Sequence, residues 1–163
     1  MKYELQMWVN AFLKGIPGKT GCFFRNLLLP YKNGKNVTVW DHTHIDSPGK
    51  LKIGNYVSIN RNCVLNAGGG IEIGDDVLIG PNVTIYSQNH NFTDSSIPIR
   101  KQGYTTKKVV IKNNVWIASG VTILPGVEIG ENSVIGANSL VNKSVPANSL
   151  VAGNPAKIIK QIW

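Results

Sequence analysis

A chain of 163 residues has room for one ordinary domain and not for two. Hydrophobic residues make up 42% and charged ones only 16%, which excludes a disordered charged tail, because such chains combine high charge with few apolar residues. The net charge of +8 raises nucleic acid as a partner, so its distribution along the chain matters. No apolar run reaches the roughly 18 residues of a membrane span. Glu4, Gln6, Asn10 and Lys14 interrupt the N-terminal apolar stretch, which argues against a secretory signal. Two cysteines, Cys22 and Cys63, make no disulfide framework and point to a reducing cytoplasm.

Residues 1–36 form the first unit. Up to residue 35 it holds Lys2, Lys14, Lys19, Arg25, Lys32 and Lys35 against Glu4 alone, a local charge of +5. Leu5, Trp8, Val9, Phe12, Leu13 and Ile16 recur at i, i+3, i+4 spacing, which predicts an amphipathic helix broken at Ile16-Pro17-Gly18. Such a helix is expected to pack over one end of the domain. A basic, aromatic-rich segment also suits contact with an anionic membrane surface, so residues 1–35 carry that second expectation.

From residue 37 a six-residue beat takes over. Ile111, Ile117, Ile123, Ile129, Ile135 and Val141 stand six apart without a gap, and Val115, Val121, Val127, Ser133, Ser139 and Val145 follow each by four. The beat is also present in Val39 and Ile45, in Ile53, Ile59 and Leu65, and in Ile73, Ile79 and Ile85. Strands have period two and helices 3.6, so a fixed six needs a triangular coil of three short strands, each sending one aliphatic side chain inward. Stacked coils pair strand on strand at about 4.8 Å and bury a continuous aliphatic column. Gly, Asn and Asp suit the tight corners. The two extra residues at Leu51-Lys52 and Ile71-Glu72 are expected at corners, outside the interior register. The fold class is therefore all-β, a parallel β-helix over 37–150, with a helical segment before it and a short extension, 151–163, after it.

These hexads, together with the blocks Ile73-Gly74-Asp75-Asp76-Val77-Leu78-Ile79-Gly80-Pro81-Asn82-Val83, Val115-Trp116-Ile117, Ile135-Gly136-Ala137 and Val151-Ala152-Gly153-Asn154-Pro155-Ala156-Lys157, resemble the hexapeptide-repeat acyltransferases, in particular their sugar and polysaccharide O-acetyltransferase branch. The resemblance covers roughly residues 37–160. It implies a left-handed β-helix, acetyl-CoA as co-substrate, a carbohydrate acceptor, and a homotrimer with active sites at the subunit interfaces.

The beat stops once, at a polar and basic segment spanning 87–108, and a loop of that size on a rigid coil is commonly functional. His90 stands at its root. Transfer of an acyl group from a thioester to an alcohol needs the hydroxyl deprotonated as it attacks, and histidine, with an unperturbed pKa of about 6.5, suits that base role. The resemblance implies the same for His90, with direct transfer and no acyl-enzyme. It further implies that Asn60 meets the acceptor, that Trp116 lines the cofactor groove, and that Ser119 donates to the thioester oxygen. Ala118 stands where the family has glycine. Ala137 and Ser139 match positions whose backbone borders the pantetheine arm, and Lys143, Lys157 and Lys160 match basic positions near the cofactor's phosphates. From spacing alone, Asp94 is a candidate to orient the imidazole of His90 or to contact the acceptor, and Arg100 of the loop's basic cluster is a second acceptor candidate.

Hexapeptide β-helices also include zinc enzymes, but three converging histidines are needed. His42 and His44, two residues apart, are expected to point outward along one strand, and His90 has no second histidine after it, so no metal is expected. Nor is nucleic acid: there is no aromatic platform, recognition helix or Cys/His module. The chain therefore reads as a cytoplasmic acetyl-CoA:sugar O-acetyltransferase of surface-polysaccharide biosynthesis. The alternatives are an N-acetyltransferase of an amino sugar, a xenobiotic acetyltransferase, and a non-enzymatic scaffold.

Overall fold

The computed structural model describes residues 2–163. It begins with two helices, α1 (Lys2–Lys14) and α2 (Gly18–Leu28), separated at Pro17. From Lys32 onward the chain winds as a three-faced prism. Face 1 stacks Lys32–Asn33, Leu51–Ile53, Ile71–Ile73, Val109–Ile111 and Glu128–Ile129. Face 2 stacks Thr38–Val39, Ser58–Ile59, Leu78–Ile79, Trp116–Ile117, Val134–Ile135 and Ser149–Ala152. Face 3 stacks His44–Asp46, Val64–Asn66, Thr84–Tyr86, Thr122–Ile123 and Leu140–Val141. All these neighbours pair in parallel, which makes the parallel β-helix that the hexads predict.

The interior follows from the beat. Val39, Ile59, Ile79, Ile117, Ile135 and Val151 form one column, and Ile45, Leu65, Ile85, Ile123 and Val141 another, all buried. The corners follow from asparagine: Asn36, Asn62, Asn82, Asn114, Asn132, Asn138 and Asn148 all have positive φ, a conformation that asparagine tolerates better than most residues. At one edge their amides also stack, Asn114 donating to Asn132 at 2.9 Å and Asn132 to Asn148 at 3.0 Å. His42 is another left-handed corner residue, φ 58°, and not part of a strand as expected.

Two sequence expectations need correction. The extra residues at Leu51 and Ile71 do not sit at corners. They lengthen the face 1 strands to three residues, so Leu51 and Ile53, and likewise Ile71 and Ile73, are both interior, as are Val109 and Ile111. The alternation of a strand allows this, since residues i and i+2 share a side. The ends of the prism also lie outside 37–150. Its first strand is Lys32–Asn33, Ser149–Ala152 is its last parallel strand, and Lys157–Gln161 folds back antiparallel on that strand.

The helices are bolted to the first coil by Arg25, which is 1% exposed. Its guanidinium donates to Leu13 O at 2.6 Å and Ile16 O at 3.0 Å, beyond the last turn of α1, and to Val39 O at 2.7 Å on face 2. Carbonyls at and just beyond the end of α1 thus supply acceptors, and the partial negative charge, that a buried cation needs. Asn10 adds a bond from its Nδ2 to Ile45 O at 3.0 Å.

Adjacent residues on one strand therefore have opposite jobs. Ile117→Ala is expected to cost about 2–5 kcal/mol, because it empties part of the column. Trp116→Ala, at a position 53% exposed on the outer side, is expected to change stability by no more than about 0.5 kcal/mol. Urea unfolding of the two variants checks the contrast.

Candidate functional site

Val109 pairs with Ile71, 38 residues earlier, whereas Thr38 pairs with Ser58, 20 residues on. The surplus chain leaves the edge between faces 3 and 1 as a β-arm. Gln88–His90 runs antiparallel to Tyr104–Thr106, so that His90 lies opposite Tyr104. Its root is clamped: Lys107 N donates to Ser87 O at 2.9 Å, and the buried Ser87 hydroxyl donates to Asn66 O at 2.6 Å on the coil below. Gly69 makes room for this root, since a Cβ there would collide with Ser87 O and come within 2.9 Å of Lys107 N.

The His90 ring rests on the Tyr104 ring, centroids 4.3 Å apart and planes tilted by 39°. Beside it opens a cavity of about 310 Å³ lined by Asn66, Tyr86, His90, Tyr104, Leu124 and Pro125 among others. Tyr86, Asn66 and Tyr104 were not singled out in the sequence. Asn66 and Tyr86 are paired strand ends on face 3, a register visible only once the coils are stacked, and Tyr104 is 14 residues from the histidine it supports.

The Asp94 carboxylate is hydrogen-bonded to Ser96 and not to His90. It accepts from both the Ser96 N–H, 2.9 Å, and the Ser96 hydroxyl, 2.6 Å, and these two bonds hold the group below the usual carboxylate range. Among the described residues no hydrogen bond joins the two side chains. Gln102 completes the turn, its amide donating to Asp94 O and Ile97 O at 2.7 Å each. Arg100 is exposed at the tip of the arm, in a short 3-10 turn over Ile99–Lys101.

The other expected site residues lie elsewhere. Trp116 projects from the outer side of face 2, between Leu78 and Val134. Asn60, Ser119 and Ala137 occupy the edge between faces 2 and 3. Asn60 lacks the left-handed backbone of a corner; that conformation belongs to Asn62. Its side-chain oxygen accepts from Arg61 N at 2.8 Å, and Arg61 lies over Trp40 and pairs with Asp41 at 3.1 Å. Burial opposes ionisation of Asp41, but a hydrogen bond from its own backbone N–H to the carboxylate and the Arg61 guanidinium outweigh that, and its carboxyl titrates below its ordinary value. The corner at Ser119 is tight, because a Cβ on Gly80 of the coil below would lie 2.8 Å from Ser119 N.

Ser139 offers a ligand only its backbone, as the resemblance implies. Its side chain is interior, donating to Gly136 O at 2.6 Å and accepting from Gly153 N at 3.1 Å, so only its backbone can border a ligand. Lys143 is exposed on the same edge as the arm, two coils above it, and Lys157 and Lys160 are exposed on the antiparallel strand at the far end of face 2. His90 and Lys143 thus stand on one edge of the prism while Ser119 and Ala137 stand on another, with the whole of face 3 between them. Among the described residues no three His, Cys, Asp or Glu side chains converge as a metal site.

Residues 108–143 match the family model described as bacterial transferase hexapeptide (six repeats). The chain is similar to a solved hexapeptide-repeat-containing acetyltransferase from Vibrio cholerae O1 biovar eltor complexed with acetyl coenzyme A, at 32% identity and a TM-score of 0.85, covering 99% of this chain and 90% of that one. It is 40% identical to the galactoside O-acetyltransferase of Escherichia coli K12, over 77% of this chain and 64% of that protein. It is also 34% identical to WcaF of the same strain, a protein named for acetyl transfer in colanic acid biosynthesis, over 80% of this chain and 69% of the relative. Against several curated relatives the chain spans between 37% and 64% of their length.

Ser139→Ala is expected to lower stability by about 1–3 kcal/mol, because it strands the Gly153 N–H and the Gly136 carbonyl. Thermal and urea unfolding without any ligand would register it. A hydroxyl kept only for ligand contact would leave both curves in place.

Proposed function

This chain belongs to the hexapeptide-repeat transferases, and from that premise we propose that it moves an acetyl group from acetyl-CoA to a sugar hydroxyl, in surface-polysaccharide biosynthesis, with His90 as general base. The observation that carries the reading is His90 itself: it is fixed by the root of the arm, braced by Tyr104, and opens on a cavity edged by the polar side chains of Tyr86 and Asn66. A base needs a fixed position within hydrogen-bond reach of the proton it takes. The likeness to a galactoside O-acetyltransferase and to WcaF supports the acceptor class, and the acetyl-CoA complex of the Vibrio relative supports the donor.

In this mechanism His90 accepts the proton of the acceptor hydroxyl as its oxygen bonds to the thioester carbonyl carbon. The Ser119 hydroxyl and neighbouring backbone N–H groups hold the oxyanion as it forms. The carbon–sulfur bond then breaks, and His90 returns the proton to the departing thiolate. Trp116 and Ala137 shape the pantetheine groove, and Lys143, Lys157 and Lys160 meet the anionic end of the donor. Asn60, Asp94 and Arg100 are assigned to the acceptor side.

His90 and Ser119 cannot act on one molecule from different edges of a rigid prism, so the reading includes a homotrimer. The outward residues support this. Face 1 carries the ion pairs, Lys52–Glu72, Lys108–Glu72 and Lys112–Glu128. Face 2 presents Thr38, Ser58, Leu78, Trp116, Val134 and Leu150, and face 3, apart from His44 and Asp46, presents uncharged residues such as Val64, Thr84, Thr122 and Leu140. A head-to-tail ring of three copies would set the 2–3 edge of one against the arm of the next and bury the uncharged middle coils of faces 2 and 3. The cytoplasmic assignment is supported by two buried, unpaired cysteines.

His90→Ala is expected to lower acetyl transfer to a sugar acceptor by about 10²–10⁴-fold while leaving coenzyme A binding and melting temperature unchanged. Steady-state kinetics beside isothermal calorimetry decide it, and wild-type turnover in the variant would end the proposal. Asp94→Asn is expected to leave the pH dependence of kcat where it is, since that carboxylate faces Ser96; a displaced limb in the pH–rate profile would return Asp94 to His90. Light scattering of the purified protein is expected to give three times the chain mass.

A further inference from the structure

The helical segment was expected to lay its apolar stripe on the domain, and only part of it does. On α1, Leu13 is buried and Val9 is half-buried, but Leu5, Trp8 and Phe12, at i, i+3 and i+7, face outward, Trp8 76% and Phe12 74% exposed. On α2, Gly21, Cys22 and Arg25 are buried, and Phe23, Phe24, Leu27 and Leu28 lie outside. The two outer faces meet in an apolar groove of about 680 Å³, walled by Trp8, Phe12 and Ile16 on one side and Phe24 and Leu28 on the other. Scattered apolar side chains are ordinary on a surface, but a contiguous aromatic patch of this extent marks a contact.

We propose that this groove and its rim dock the protein on an anionic lipid surface. The charge of the segment that carries it selects that occupant. Lys14 closes α1, Lys19 lies in the first turn of α2, and Lys32 and Lys35 follow it, while Glu4 is the one acid up to residue 35. Among the described residues no ion pair engages any of these four lysines. A second copy seated on the groove would bring two segments of charge +5 together, whereas acidic headgroups would neutralise them. Helices of 13 and 11 residues do not span a bilayer, and no helix of the described residues is long and apolar enough to do so. Lying flat, they can sink Trp8, Phe12 and Phe24 to the headgroup boundary.

The bolts at Arg25 and Asn10 make this more than a tether, because they join the helices to the first coil. The prism then stands on the lipid by its N-terminal end, with the His90 arm on the third coil, above the surface. In the threefold ring proposed above, all three grooves would share that end and bind together, raising avidity without a new contact. Docking by a single chain does not depend on that ring or on the acetyl-transfer reading.

Flotation of the full chain with vesicles of phosphatidylcholine alone, or with about 30% phosphatidylglycerol, tests the proposal. Binding is expected to the anionic vesicles, to weaken at high salt, and to fall about tenfold or more in Trp8→Ser/Phe12→Ser. That variant should keep its mass in light scattering and its rate on a free sugar acceptor. Lys19→Glu/Lys32→Glu, which leaves the groove intact, should lose binding as well. Absent binding to anionic vesicles, or undiminished binding in both variants, overturns the proposal. So does a drop in mass in the serine variant, which would assign the groove to a second copy.

Discussion

The prism has room for one side chain per strand, and every coil must present it at the same place as the coil below. A parallel solenoid has no other core: each coil buries its aliphatics only because the next coil repeats them. The columns Val39 to Val151 and Ile45 to Val141 are the result, and every residue in them is buried. The same constraint makes the edges rigid, because a corner that moved would pull its strand out of register with two neighbours. Rigidity at the edges is what lets an 18-residue surplus leave the wall without disturbing it. The arm is tied at Ser87 and Lys107 to the coil below and to itself, so the histidine three residues beyond Ser87 inherits the precision of the scaffold.

This explains which parts were legible from the chain alone. A period of six is visible because the interior position repeats without exception from Ile111 to Val141, and the asparagine corners reinforce it. Face 1 was misjudged at Leu51 and Ile71 because two added residues keep the same inward parity whether they lengthen a strand or bulge at a corner. Trp116 could be picked out as an aromatic where the hexads use small residues, and it does project outward. Ser139 could not be sorted in the same way, since serine serves equally well inside, bonded to Gly136 and Gly153, or outside. Within the arm, spacing carries no orientation. Four residues separate Asp94 from His90, yet the Asp94 carboxylate closes a turn with Ser96 while the ring rests on Tyr104.

The N-terminal helices show a different limit. Periodicity reveals an apolar stripe, but not what covers it. The half that touches the prism is fastened by a buried cation whose partners are backbone carbonyls, and no sequence pattern marks Arg25 for that role. A guanidinium has enough donors to satisfy the end of one helix and the edge of a sheet together, which lets two short helices hold a fixed attitude with little core of their own. Lysine, with a compact ammonium, could not span the same three acceptors.

The division of the candidate residues between two edges follows from the same geometry. Acyl transfer needs a base on one side of the reacting carbon and oxyanion donors on another, a few ångströms apart. A narrow prism filled with aliphatic side chains cannot fold one of its own edges toward another, nor can it host the reaction inside. On the proposed reading it borrows an edge from a second copy. The ion-paired outer side of face 1 then stays in water, and faces 2 and 3, uncharged over their middle coils, are the ones available for that contact. The donor's groove and the acceptor's cavity then meet only on assembly. On that reading a chain too slender to enclose an active site makes one between copies, with His90 supplied by the arm of one of them.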